Sequence, residues 1–167
     1  MKLPDSTPID IFSGQYRFLS NFYPSVVELD GVLYTSIEHA YQCAKINDPD
    51  IREIVSEIVK AGDVKTYVRV LLKEQSDLKV HDWNKIRLDT MEYLLCQKFQ
   101  KNLLSKKLEA TGDRKLVEGN TWHDNFYGDC RCQNKRGGHE ECLTAGENHL
   151  GRILMKIRSD NRRTLFK

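Results

Sequence analysis

Apolar positions recur along this chain with two periods, and the change from one to the other marks its elements. Val26, Val27 and Leu29 precede Asp30-Gly31, and Val32, Leu33 and Tyr34 follow it. An Asp-Gly pair between β-rich runs predicts a tight hairpin. From about Ser36 the period lengthens to that of a helix. Ile37, Ala40, Tyr41 and Ala44 give this helix an apolar side, and Thr35 with Glu38 has the spacing of a capping box. Asp48-Pro49 predicts an N-cap followed by proline at the first helical position, with Ile51, Ile54, Val55 and Ile58 at helical spacing and Gly62 ending the run. Val64, Val68, Leu71 and Leu72 predict another helix. The longest helix is expected after Asp82, over residues 83–99, with Ile86, Met91, Leu94, Leu95 and Phe99 as its apolar set. A short helix over 103–110 closes at Thr111-Gly112, residues 115–118 read as extended, and a last helix runs from about Asn148 to about Arg158.

Between residues 120 and 146 the periodicity fades and polar, glycine and cysteine residues dominate. A connection of that length usually carries a function or a ligand of its own. Residues 1–11, with Pro4 and Pro8, read as a loose leader, residues 12–160 as the domain, and residues 161–167 as a basic tail. No internal repeat or low-complexity tract is present.

Composition narrows the function. At 167 residues and 40% hydrophobic, the chain fits one compact domain with a sizeable core. Its formal net charge is only +2, with acidic and basic residues interspersed. That argues against a general duplex-DNA binder, which needs a basic stripe, but leaves open a nucleotide or a single flipped base. No apolar run approaches the roughly 20 residues of a membrane span, and the first residues lack an apolar stretch of signal-peptide type. The expected setting is the cytoplasm. Five cysteines, an odd number, fit a reducing compartment better than a disulfide framework.

Several segments mix residue types that a plain core does not require. Glu38, Gln42 and Lys45 are spaced to share a helix face. They read either as a carboxylate, an amide and an amine aimed into a pocket, or as a closed capping box beside a solvated lysine. Phe18, Phe22 and Tyr23 surround Asn21 before Pro24, as a core anchor or as a stacking surface with an amide to read a polar edge. Trp122, His123, Asp124, Phe126 and Tyr127 lie in a turn closed by Gly128. A carboxylate among aromatics suits a general acid, yet Asp also caps turns. Cys130, Cys132, His139 and Cys142, with His123 as a further candidate, are zinc-ligand types. Cys-x-Cys is not the usual Cys-x2–4-Cys spacing, so no metal is assigned. Asn148 stands where it can cap the last helix, whose start can attract an anion, and Arg152 lies one turn on.

Taken together these residues resemble the NADAR family, also called YbiA-like proteins. The resemblance runs from about Phe12 to Arg158. It is carried by Phe-Leu-Ser-Asn-Phe-Tyr-Pro at 18–24, Glu-His-Ala-Tyr-Gln at 38–42 with Lys45, Asp82-Trp83, Met91 and Lys98-Phe99. It continues through Thr111-Gly112-Asp113, Leu116-Val117-Glu118, Asp124, Gly128 and Gly-x-Asn-His-Leu-Gly-Arg-x-Leu-Met at 146–155. Each piece is weak alone; their order and spacing over one domain are specific. Two departures stand out. The family often has Trp-Gly where this chain has Tyr127-Gly128, and the stretch from Cys130 to Cys142 is longer and richer in cysteine than in the plainest members.

The resemblance implies a single compact α+β fold, mostly helical with small β elements, and N-glycosidase chemistry on a ribosyl C1′–N bond. Two substrate classes go with it: phosphoribosylamino-pyrimidine intermediates of riboflavin biosynthesis, and ADP-ribose on guanine, including guanine in DNA. Cleavage builds positive charge on the sugar, which a carboxylate stabilises, while a proton donor helps the base leave. Glu38 is assigned to the sugar side and Asp124 is the second carboxylate. A Lys45 amine of lowered pKa has the further role of a Schiff base with C1′. Phe22, Tyr23, Trp83, Trp122 and Tyr127 are the stacking candidates. Asn21 and Asn148, with Gln42, are candidates for the substrate's polar groups, and Arg152 or Lys98 for phosphate. The chemistry requires no cofactor. The competing reading is a non-catalytic module that binds ADP-ribose or a nucleotide.

Overall fold

The computed structural model describes residues 6–132, 142 and 144–165. They divide into two compact units, Asn21–Gln100 and Met1–Ser20 with Lys101–Lys167.

The Asn21–Gln100 unit begins with the predicted hairpin. Strands β1 (Val27–Leu29) and β2 (Val32–Tyr34) pair antiparallel, with Leu29 opposite Val32. The two turn residues both take positive φ, 53° at Asp30 and 83° at Gly31, as a two-residue turn of the I′ type requires. Helices α1 (Ile37–Cys43), α2 (Pro49–Ser56), α3 (Ala61–Glu74) and α4 (Trp83–Gln100) follow, with a 3-10 turn Ser76–Leu78 before α4. Every residue of α1 is buried, because the helix packs against α2, α3, α4 and the hairpin together. Gln97 on α4 grips the hairpin twice: its Oε1 accepts from Glu28 N and its Nε2 donates to Glu28 O, each at 2.8 Å. Val27, Tyr34, Ile37, Val64, Val68, Met91, Leu94 and Leu95 lie in this core.

Two local expectations give way here. The N-cap of α1 is Ser36, whose side chain accepts from His39 N, so Thr35 and Glu38 do not form a capping box. Gly62 does not end the second helix: α2 stops at Ser56, and Gly62 lies in the first turn of α3. Asp48 caps α2 as expected, accepting from Asp50 N and Ile51 N, with Pro49 at the first position.

In the other unit a 3-10 turn Gly14–Leu19 precedes α5 (Asn102–Glu109), two short parallel strands β3 (Gly119–Asn120) and β4 (Asp129–Cys130), and α6 (His149–Leu165). α5 packs on α6, and Leu104, Leu108, Leu116, Leu150, Ile153 and Leu154 are buried. The Arg158 guanidinium, also buried, is satisfied by Thr111 Oγ1 at 2.7 Å and Arg114 O at 3.0 Å. Ile9, within the expected leader, is 2% exposed; its N–H donates to Lys115 O and its carbonyl accepts from Val117 N, each at 2.8 Å. The last helix also runs beyond Arg158, to Leu165. Among the described residues no helix is long and apolar enough to cross a membrane. The fold is α+β, mostly helical with small β elements, as expected.

Candidate functional site

The strongest constellation lies in the Asn21–Gln100 unit, on and just beyond α1. Glu38 is 6% exposed. A carboxylate so enclosed needs polar partners, and it has them. Gln42 Nε2 donates to Glu38 Oε1 at 2.8 Å, and the Lys65 ammonium lies 3.7 Å from the same oxygen. Because Ser36 holds the cap, this carboxylate is not spent on the helix start.

Lys45 follows one turn further, past the α1 C-cap at Ala44. Its Nζ donates to Gln42 Oε1 at 2.8 Å, so Gln42 relays between amine and carboxylate. The backbone there is fixed by a strap from the chain before α4: Asn47 N donates to Leu78 O and Val80 N to Lys45 O, each at 2.8 Å. Burial brings the Lys45 amine down from 10.5 to about 8; Glu38 works in the opposite direction, and the cations of Lys65 and Lys79 push the same way as burial. The amine also lies 5.1 Å from the centre of the Tyr41 ring, which itself packs against Trp83 with centroids 5.1 Å apart.

Gln42 and Lys45 open onto a cleft of about 400 Å³, lined also by Lys65, Arg69, Lys73, Lys79 and Trp83. That volume suits a small molecule, and a wall so rich in cations suits an anionic one. Lys65, Arg69 and Lys73 stand four residues apart on α3, which puts them on one ridge of that helix. The sequence reading passed over these residues. Their four-residue spacing was the available signal, but it reads equally well as a solvated face.

The neighbouring predicted residues take varied places. Asn21 is buried; its carbonyl accepts from Glu38 N at 3.0 Å, and its Nδ2 donates weakly to Met91 Sδ at 3.5 Å. Its Oδ1 has no hydrogen-bond partner among the described residues. Phe22 is exposed, with the Lys65 ammonium 5.7 Å from its ring centre. Lys98 is fully enclosed and is not a cleft wall; its ammonium lies 5.5 Å from the Tyr23 ring and 5.2 Å from the Phe99 ring.

The remaining predicted residues belong to the other unit. Asp124 Oδ1 accepts from Phe126 N at 3.1 Å and Tyr127 N at 2.8 Å, the pattern of a carboxylate closing a turn. The Asn148 amide bridges backbone, donating to Leu116 O at 2.9 Å and accepting from Glu118 N at 3.0 Å. Tyr127 packs edge-on against Phe126, while Trp122 and Arg152 are exposed. Of the expected zinc candidates, Cys130, Cys132 and Cys142 converge with His123; His139 lies outside the described residues.

Comparison with known proteins adds a family context. The family model described as the NADAR domain matches residues 10–162. A riboflavin biosynthesis protein of Vibrio vulnificus is 36% identical over 146 residues, covering 87% of this chain and 35% of that protein. The chain thus spans about a third of that relative's length. The N-glycosidase YbiA of Escherichia coli is 31% identical over 147 residues, covering 87% of this chain and 82% of the relative. The NMR structure of E. coli YbiA superposes with a TM-score of 0.78 at 26% identity, covering 99% of this chain and 90% of that one.

Proposed function

The chain belongs to the NADAR domain family, and from that membership and the Glu38–Gln42–Lys45 relay we propose that it is an N-glycosidase cleaving the C1′–N bond of a phosphorylated ribosyl compound. The observation that carries the reading is a lysine amine brought down to about 8, hydrogen-bonded through Gln42 to a buried carboxylate, at the wall of a cation-lined cleft. A neutral amine at this position is a competent nucleophile near neutral pH.

In the proposed reaction the Lys45 amine attacks C1′ and the C1′–N bond breaks. Glu38 faces the positive charge that builds on the sugar. The proton released by the attacking amine goes to the departing nitrogen. The ribosyl-lysine opens to a Schiff base, and water hydrolyses it to free ribose phosphate and the amine. Lys65, Arg69, Lys73 and Lys79 hold phosphate oxygens, and Trp83 offers an aromatic face. Asp124 is assigned to its turn rather than to proton donation, since its Oδ1 already serves two backbone N–H groups.

One relative's name, a riboflavin biosynthesis protein, favours the phosphoribosylamino-pyrimidine as substrate, while the name N-glycosidase fits either compound. The cation ridge on α3 also suits the diphosphate of an ADP-ribosyl guanine. A hydrolysis assay by mass spectrometry separates them, with both compounds offered side by side. Ribose 5-phosphate released from the pyrimidine supports the first reading, and ADP-ribose released with intact guanine the second. Binding of ADP-ribose without cleavage of either compound would overturn the enzyme assignment and leave a nucleotide reader.

A further inference from the structure

Three cysteines and one histidine of the other unit meet at a point that the proposed glycosidase does not use. The ligand atoms of His123, Cys130, Cys132 and Cys142 all lie within 4.8 Å of one another. His123 Nδ1 is 3.3 Å from Cys142 Sγ and 3.5 Å from Cys132 Sγ. Around a tetrahedral zinc, with Zn–S of about 2.3 Å and Zn–N of about 2.0 Å, neighbouring ligand atoms stand about 3.5 to 3.8 Å apart. The two His123 distances fall close to that spacing, and the four ligand atoms together need to contract by no more than about 1 Å to meet it.

The backbone around them is built to hold that arrangement. His123 takes a φ of 68°, a left-handed conformation uncommon outside glycine. Asn120 sustains it from both flanks. Its Oδ1 accepts from Trp122 N at 3.2 Å and Asp124 N at 3.1 Å, and its Nδ2 donates to Asp124 O at 2.7 Å. Asn120 is also the β3 residue paired with Cys130 in β4, so one residue ties the histidine turn to the first thiol. Cys130 N is held in turn by Asn125 Oδ1 at 2.8 Å. Further along, Gly146 N donates to Asp129 Oδ1 at 2.8 Å, bringing the chain after Cys142 back to β4.

The Cys-x-Cys spacing, unusual for a zinc knuckle, has a local explanation. Cys130 ends β4, and the Cys132 N–H turns back onto the Cys130 Sγ two residues earlier, at 3.4 Å, a local turn that brings the two side chains together. One intervening residue is then enough for both sulfurs to face one point. The same N–H contact suits a thiolate ligand. No disulfide joins the three thiols.

We propose that His123, Cys130, Cys132 and Cys142 bind one zinc ion in a closed Cys3His site that joins the His123 turn, the end of β4 and Cys142. Four protein ligands leave no open position, so the site is structural and does not activate water. The fourth ligand is His123, whose Nδ1 already lies against two of the thiols.

The test uses the native protein purified without chelators. Elemental analysis should give about one zinc per chain. Titrating that protein with a mercurial should release the zinc as three thiols react, leaving the reactivity of Cys43 and Cys96 uncoupled from metal release. Reconstitution with cobalt should give the strong absorption of tetrahedral thiolate-ligated cobalt. His123→Ala and the Cys130→Ser/Cys132→Ser pair should lose the metal, while His139→Ala and Cys96→Ser should keep it. Protein without zinc that takes up neither zinc nor cobalt would overturn the proposal, as would a Cys130–Cys142 disulfide found by mass spectrometry. Loss of metal in His139→Ala with retention in His123→Ala would overturn the ligand set. The titration needs no variant, so the metal assignment stays testable should the substituted proteins fail to fold.

Discussion

Gln42 lies one turn beyond Glu38 on α1 and donates its Nε2 to the Glu38 Oε1 at 2.8 Å. That bond fixes which way the amide points, leaving Gln42 Oε1 to accept from Lys45. Glu38→Gln keeps an acceptor for Gln42 but removes the negative charge. A fall in kcat on the order of 10²–10³-fold is expected, with a melting temperature close to that of the parent protein. Steady-state kinetics with a circular-dichroism melt checks both. Undiminished turnover would remove Glu38 from the reaction.

Lys45 predicts a pH dependence. An amine at about 8 is about one-tenth neutral at pH 7, against roughly one in 3,000 for an unperturbed lysine. If the neutral amine attacks C1′, kcat/KM rises with pH through a limb near pH 8 and levels above it. Lys79 pushes this pKa down, so Lys79→Ala should move the limb to higher pH. Borohydride added during turnover should trap a ribosyl adduct on Lys45, and Lys45→Arg should yield none. A trap-negative enzyme with a flat profile from pH 6 to 9 would leave Lys45 as a binding residue.

Phosphate binding is separable from chemistry at α3. Arg69 and Lys73 line the cleft without contacting Glu38. Arg69→Ala should raise KM about tenfold, the scale of one charge-assisted contact, with kcat nearly unchanged. The loss should shrink as ionic strength rises, because screening weakens the same contact in the parent. An unaltered KM at low salt would place the phosphate elsewhere.

These residues differ in how far the sequence exposed them. The hairpin was legible because Asp30-Gly31 is local turn chemistry, and both residues do take positive φ. Asp48-Pro49 was legible for the same reason. The cap of α1 was misread by one residue because Thr35 and Ser36 are adjacent hydroxyls, and spacing alone cannot choose between them. The choice matters: with Ser36 as the cap, Glu38 is released from the helix start to meet Gln42 and Lys65. Gly62 was misread because glycine opens helices as well as closing them. The apolar run that seemed to reach it is partly unburied, with Ile54 at 66% exposure. The cleft itself was not legible. Lys65, Arg69 and Lys73 look like an ordinary wet face until α3 is packed on α1. Lys98 had a readable signal, since it falls at helical spacing with Met91, Leu94 and Leu95, a charge on an apolar stripe.

Asp124 offers the sharpest test of a carboxylate that sequence assigned two roles. The structure uses its Oδ1 as a turn acceptor for Phe126 N and Tyr127 N, while its backbone N–H and carbonyl are both held by Asn120. Asparagine keeps that acceptor and the tolerance for turn geometry but cannot serve as a carboxylic acid. Asp124→Asn should therefore retain kcat within a few-fold and leave the melting temperature nearly unchanged. Asp124→Ala removes the acceptor and leaves two N–H groups to find other partners, at a cost of about 1–3 kcal/mol, read as a lower melting temperature. The two variants thus separate turn closure from proton donation. A folded Asp124→Asn protein whose kcat drops a hundredfold, with the alkaline limb of its pH profile altered, would return Asp124 to the catalytic pair.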